Sequence, residues 1–142
     1  MTTNARNILQ PKNILLVEDD ILLADMLDKN LSTADFVVTT AYTGNQVIEL
    51  TKNYYFDLIF LDLLLPGKDG FTVLKELKAD PNTKDVPVII LSNLGEVDHI
   101  DKALRLGAAD YIIKANTSPE QVRAIANKHL LHHTARIHSQ KD

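Results

Sequence analysis

Residues 56–70 read FDLIFLDLLLPGKDG. The stretch opens on the apolar run Leu58, Ile59, Phe60 and Leu61, short enough for a single buried strand. The run stops at Asp62, and Pro66, Gly67 and Gly70 punctuate the loop beyond it. A carboxylate at the exit of a buried strand stands where open α/β sheets bind ligands, in the crevice outside the carboxyl ends of the strands. Read alone, Asp62 serves equally well as a loop cap that accepts N–H bonds from the Pro-Gly turn.

The same grammar repeats on both sides. Upstream, Ile14-Leu15-Leu16-Val17 is a continuous apolar run that ends in Glu18-Asp19-Asp20, the pattern of a parallel strand buried on both faces. A helix over 21–31 follows, with Leu23, Met26, Leu27 and Leu31 at helical spacing and Asp20 placed to cap it. Residues 36–41, FVVTTA, are rich in β-branched side chains and predict a second strand. Thr43 opens a second helix that uses Val47, Ile48 and Leu50. Downstream, 71–79 predicts a helix with Val73, Leu74 and Leu77 inward. A fourth strand over 86–91 ends at Ser92, and a helix over 95–106 is closed by Gly107. A fifth strand, 110–113, ends at Lys114, and Ser118-Pro119 starts a last helix carrying Val122, Ile125, Ala126 and Leu130. Residues 1–12 predict a flexible lead-in, 13–131 one domain, and 132–142 a polar tail. Five strand–helix alternations make this an α/β chain, a doubly wound five-stranded parallel sheet with five helices.

Composition narrows the function classes. The chain has 142 residues, 45% hydrophobic and 24% charged, ordinary for one soluble globular domain. A net charge of −4 gives no electrostatic footprint for nucleic acid. There is no cysteine, hence no disulfide framework and no thiolate metal site, which suits the cytoplasm. No apolar run approaches ~20 residues, and the start MTTNARNILQPKN is too polar for a signal peptide. The expectation is a cytoplasmic protein with neither a membrane nor nucleic acid as a direct partner.

In a parallel sheet the carboxyl ends of the strands share one edge. That edge receives Glu18 and Asp19 after the first strand, Asp62 after the third, Ser92 after the fourth and Lys114 after the fifth. Any one of these is as readily a capping or solvated residue; four strand ends together make a site. Carboxylates crowded in this way repel unless a cation sits among them. With oxygen donors only, the ion is Mg²⁺, or Mn²⁺, in preference to zinc. Such an ion partners phosphoryl groups, and a transferring phosphoryl needs the charge clamp that Ser92 and Lys114 complete. Asp62 is then either a third metal ligand or the nucleophile of an acyl phosphate.

The motifs ILLVEDD, LIFLDLLLPGKDG, VIILS and GAADYIIK, in this order over about residues 13–131, resemble the receiver domain of two-component response regulators, in particular single-domain chemotaxis regulators. The resemblance implies the flavodoxin-like strand order 2-1-3-4-5. It implies that Asp62 is the phospho-acceptor, taking a phosphoryl group from a histidine of a sensor kinase or phosphotransfer protein. Asp19 would hold Mg²⁺ directly, Glu18 through water, and the Leu64 backbone carbonyl would be the remaining protein ligand. Ser92 matches the switch hydroxyl, Tyr111 the aromatic whose rotamer follows it, and Lys114 the lysine that pairs with the phosphoaspartate. The output would be a changed affinity for a protein target at the face of the fourth helix, fifth strand and fifth helix, about residues 95–131. The protein would be a stand-alone receiver, an enzyme only in assisting its own phosphorylation and dephosphorylation.

Three positions depart from the family pattern. Ala115 follows Lys114 where proline is common; a cis bond before alanine costs ~2.5–4 kcal/mol, so a trans path is expected. Asn93 replaces a small residue after the switch hydroxyl and is expected to crowd or hydrogen-bond the phosphoryl site. Leu64 puts an apolar side chain near the acceptor, where it hinders attacking water. The rival readings are a receiver fold that signals without phosphorylation, and a metal-dependent phosphatase or small nucleotide-binding protein. The last lacks a glycine-rich phosphate loop after the first strand. His132, His133 and His138 predict a solvated tail rather than a metal site. Asp98, His99 and Asp101, like Lys75, Glu76 and Lys78, predict helix exteriors.

Overall fold

The computed structural model describes residues 10–132. Strands and helices alternate as β1 (Lys12–Val17), α1 (Ile21–Leu31), β2 (Phe36–Ala41), α2 (Gly44–Asn53), β3 (Leu58–Leu61), α3 (Gly70–Ala79), β4 (Val88–Ser92), α4 (Val97–Arg105), β5 (Asp110–Ile113) and α5 (Pro119–Asn127). A 3₁₀ turn, Lys114–Asn116, follows β5, and a π-helical turn, Lys128–His132, extends α5. The expected lead-in up to residue 9 and the tail histidines His133 and His138 lie outside the described residues.

All strands pair in parallel, in the order β2-β1-β3-β4-β5. This is the five-stranded, doubly wound, flavodoxin-like arrangement expected. The two-residue period of a strand sends Leu15, Val17, Ile59, Leu61, Val88 and Ile90 to one face, against Val47 of α2, Val73, Leu74 and Leu77 of α3, and Ala103 of α4. It sends Ile14, Leu16, Leu58, Phe60, Ile89 and Leu91 to the other, against Leu27 and Leu31 of α1 and Val122 and Ala126 of α5. Both faces are covered, which is why the strands read as unbroken apolar runs. The register sets Val17 beside Leu61, Leu61 beside Ile90, and Ser92 beside Ile113, so the carboxyl ends finish level.

Local chemistry sets the helix starts. Asp20 Oδ1 accepts from Leu22 N and Leu23 N at 3.1 and 3.2 Å, Thr43 caps α2 through Gln46 N, and Ser118 with Gln121 forms a capping box on α5. Helix α3 begins at a close approach. A Cβ on Gly70 would lie 2.4 Å from both the Asp62 carbonyl oxygen and Leu63 Cα, so a residue with no side chain seats this helix on the backbone just past β3.

Several expectations need correction. The buried stripe of α1 is Ala24, Leu27 and Leu31, while Met26 is 54% exposed; the helix is rotated so that Ala24 lies inward and Met26 outward. Strand β1 starts at Lys12, inside the expected lead-in, because Lys12 N donates to Asp35 O at 2.8 Å. Helix α4 starts at Val97 rather than at Gly95. Lys78 is half-buried rather than a solvated charge: its Nζ donates to the carbonyls of Lys84 at 3.1 Å and Val86 at 2.8 Å.

Burial pushes the Lys78 ammonium below its ordinary 10.5, with the Asp85 charge pulling the other way. The unfolded chain therefore binds more protons in the window just below 10.5, and stability contributed by this group rises with pH there and is lost as pH falls through the folded value. Lys78→Met is expected to lose that rise. In urea denaturation from neutral pH to pH 10.5, the parent should gain on the variant as pH climbs; parallel curves would mean the ammonium is not desolvated.

Candidate functional site

The ladder runs one step past the strands. Glu18 N donates to Ala41 O at 3.0 Å and Asp62 N to Val17 O at 3.2 Å, which holds both backbones in register at the carboxyl edge. Their side chains are buried, Glu18 at 1% and Asp62 at 3% exposed, and Ser92 beside them is fully buried. Lys114, the first residue after β5, reaches across the edge. Its Nζ lies 2.7 Å from Glu18 Oε1 and 2.7 Å from Asp62 Oδ2. The remaining oxygens are held by backbone amides: Glu18 Oε2 accepts from Asp20 N and Asp62 Oδ1 from Leu64 N, both at 3.1 Å. Asp19 is exposed at the rim.

Carboxylate oxygens of Glu18, Asp19 and Asp62 lie within 4.8 Å of one another. Three negative charges therefore face the single positive charge of Lys114. Burial raises the Glu18 carboxyl above its usual range, against the hydrogen bonds from Lys114 and the Asp20 amide, and the Asp62 charge adds to the rise. Lys114 moves the same way for a different reason: burial disfavours its charge, but the bonds to Asp62 and Glu18 outweigh that and raise it. Burial wins on the carboxyl and pairing wins on the ammonium. An all-oxygen donor set left net negative is what a hard divalent cation fits.

On the other side of Ser92, its Oγ accepts from Leu94 N at 3.3 Å. The Tyr111 hydroxyl donates to the Leu94 carbonyl, and the half-buried ring packs against the core cluster that includes Leu61 and Ile90. Burial raises the Tyr111 hydroxyl above its usual range, and the Asp62 charge acts in the same direction.

Comparison with known proteins gives these features a frame. A family model described as the response regulator receiver domain matches residues 14–126. The chain belongs to the response regulator receiver domain family. It is 36% identical over 124 residues to RpaA of Synechocystis, a DNA-binding dual master transcriptional regulator, covering 87% of this chain and 51% of that protein. Among solved structures, the phosphorylated cyanobacterial phytochrome response regulator RcpA superposes with a TM-score of 0.78 at 34% identity, covering 85% of this chain and 95% of that one. The Mn²⁺-bound form of the response regulator Rcp1 gives 0.74 at 30%, covering 82% and 93%. The chain spans about half the length of the curated relatives it matches, 43% and 51% in two of them. Receiver domains are signalling proteins of two-component systems rather than enzymes in the usual sense, and phosphorylation on an aspartate is general in the family. No helix among the described residues is long and apolar enough to cross a membrane.

This receiver brings Glu18, Asp19, Asp62, Ser92 and Lys114 to the edge where the strand ends put them, with Tyr111 of β5 bonded to Leu94 in the loop that follows Ser92. The Lys114–Ala115 bond is trans, since no cis peptide occurs among the described residues. Asn93 Oδ1 accepts from Ala115 N at 2.9 Å. Leu64 stands 56% exposed beside the acceptor loop. The amides of Asp20 and Leu64 were missed from sequence, because a backbone donor leaves no residue-type signal. On α4, Glu96 pairs with His99 and Asp101 with Arg105, each at 2.9 Å, in keeping with a solvated face.

Proposed function

We propose that this receiver is a phosphorylation-switched signalling domain in which Asp62 accepts a phosphoryl group from a histidine of a sensor kinase or phosphotransfer protein. The P–N bond to the donor histidine breaks, a bond from an Asp62 carboxylate oxygen to phosphorus forms, and the histidine nitrogen keeps the electron pair and takes up a proton. The observation that carries this reading is the placement of Asp62 Oδ2 2.7 Å from the Lys114 ammonium, inside a cluster of carboxylates at the ligand-binding edge of the sheet. Lys114 offsets charge on the transferred group, and the Ser92 hydroxyl is available to donate to one of its oxygens. Asp19, Asp62 and the Leu64 carbonyl, with Glu18 acting through water, would hold Mg²⁺ or Mn²⁺. The ion would supply charge neutralisation as the phosphoryl group arrives.

The added negative charge and acceptor oxygens would draw Ser92 off Leu94 N and alter the contact from Tyr111 to Leu94. That biases the face formed by α4, β5 and α5 between two states of different affinity for a protein target. A net charge of −4 argues against nucleic-acid contact by this stretch itself, and a sensor-kinase partner would be met in the cytoplasm.

The test is NMR with beryllofluoride or acetyl phosphate, with and without Mg²⁺. Large Mg²⁺-dependent shifts at Asp62, Ser92 and Lys114 that extend to Tyr111 are expected. Shifts confined to the acidic residues would mean an ion site uncoupled from the output face, and no response would mean a receiver fold used as a scaffold. The exposed Leu64 side chain, two residues past Asp62, would hinder water attacking the acceptor. Leu64→Asn is accordingly expected to shorten the lifetime of the phosphorylated form several-fold, read as decay of the labelled protein; an unchanged lifetime would remove Leu64 from that role.

A further inference from the structure

The loop after β4 is tied to β5 at one point and to the turn after β5 at another. One is the Tyr111 hydroxyl on the Leu94 carbonyl. The other is the Ala115 N–H, which donates to Asn93 Oδ1 at 2.9 Å. This second tie joins the residue directly after Ser92 to the residue directly after Lys114. It exists only because residue 115 is not proline, which has no N–H to give. Two of the three departures from the family pattern, Asn93 and Ala115, are therefore two halves of one hydrogen bond.

The bond matters because of what hangs on the turn. A lysine is a point charge on a flexible four-carbon stem, with no planar fork to pre-organise it. Where its ammonium sits depends on where its backbone is held. Inside the turn, Thr117 N donates to Lys114 O at 3.1 Å and Thr117 Oγ to Ile113 O at 2.9 Å. These bonds shape the turn but do not attach it to the rest of the edge. Asn93 does.

We propose that Asn93 is a positioning residue for Lys114: by accepting from Ala115 N it sets the turn from which the ammonium reaches Asp62 and Glu18, and it couples movement of the Ser92 loop to Lys114. The inference rests on the phosphoryl-acceptor reading of Asp62. It gives the Ala115 amide a partner that a receiver with proline at that position does not need.

The experiment uses the full chain and the variants Asn93→Ala, Asn93→Asp, Ala115→Pro and the Asn93→Ala, Ala115→Pro double. Its first readout requires no phosphorylation: amide exchange at Ala115 and the ¹⁵N resonance of the Lys114 ammonium. In Asn93→Ala, exchange at Ala115 should rise roughly tenfold, the protection given by one exposed hydrogen bond, and the Lys114 resonance should move. Asn93→Asp keeps the acceptor and should restore slow exchange. The second readout is the rate of labelling by acetyl phosphate with Mg²⁺. It should fall roughly three- to tenfold in Asn93→Ala and in Ala115→Pro, and no further in the double, because both remove the same bond. An unchanged Ala115 exchange and Lys114 resonance in Asn93→Ala, or labelling losses that multiply in the double, would overturn the proposal. A parent that takes up no phosphoryl group would overturn the phosphoryl reading alone, and the first readout would still decide whether Asn93 positions Lys114.

Discussion

Asp62→Ala is expected to take up no phosphoryl group from acetyl phosphate in Mg²⁺, where the parent gains one per chain by intact mass. The reason is placement. Glu18 is buried with both oxygens engaged, one by Lys114 and one by the Asp20 amide. Asp19 is at the rim. Asp62 alone combines an exit from the central strand β3 with a direct contact to the ammonium that would meet the incoming charge. Removing its carboxylate takes away one ion ligand and leaves Asp19, Glu18 and Lys114 in place with no oxygen to attack phosphorus, so the loss should be complete rather than partial. Glu18 reports the same change independently. The Asp62 charge is one of the influences that raise it, so its titration followed by NMR should fall in the variant, although burial keeps it above the ordinary value. Undiminished labelling of Asp62→Ala would place the acceptor elsewhere.

Lys114→Met should cost stability on a scale no other substitution at this edge matches. Its ammonium, 14% exposed, bridges two carboxylates that are themselves almost wholly buried. Taking away one partner of a buried ion pair strands the charge left behind, at a cost of about 3–5 kcal/mol, and here two charges are stranded. Glu18 fixes the sign of the pH dependence. Its folded pKa is raised above 4.5 mainly by burial, with Lys114 opposing; without Lys114 it rises further. Stability from such a group is fully present below 4.5 and is lost as pH rises through the folded value. The deficit of Lys114→Met should therefore be small in acid, grow with pH across that window, and level off above it. Millimolar Mg²⁺ should recover part of the deficit at neutral pH, since a cation among the same carboxylates takes over the charge balance. Urea denaturation at several pH values, with and without Mg²⁺, measures all of this. A deficit that neither pH nor Mg²⁺ changes would mean Lys114 acts by packing, through its stem rather than its charge.

The sequence by itself determined the architecture and most of the site. A strand covered on both faces must be apolar at every position, so its runs are legible without a partner. A polar residue that ends such a run is placed at the carboxyl edge by topology alone. That is why Glu18, Asp62, Ser92 and Lys114 were found together from four unlinked stretches. Caps at Asp20, Thr43 and Ser118 were legible for a similar reason, since they depend only on residues within a turn.

Tertiary structure decided what depends on facing and approach. Helical spacing says which residues of α1 share a stripe, but not how the helix is rotated onto the sheet, and Ala24 rather than Met26 proved to be inward. Charge says that Lys78 prefers water, but not that its ammonium can meet two carbonyls in place of water. Nothing in residue type announced that one lysine would bridge both Glu18 and Asp62, or that Asn93 would accept from Ala115, 22 positions away. Hydrogen bonds between loops depend on sub-ångström placement of backbones far apart in the chain. Only the packed fold sets that distance.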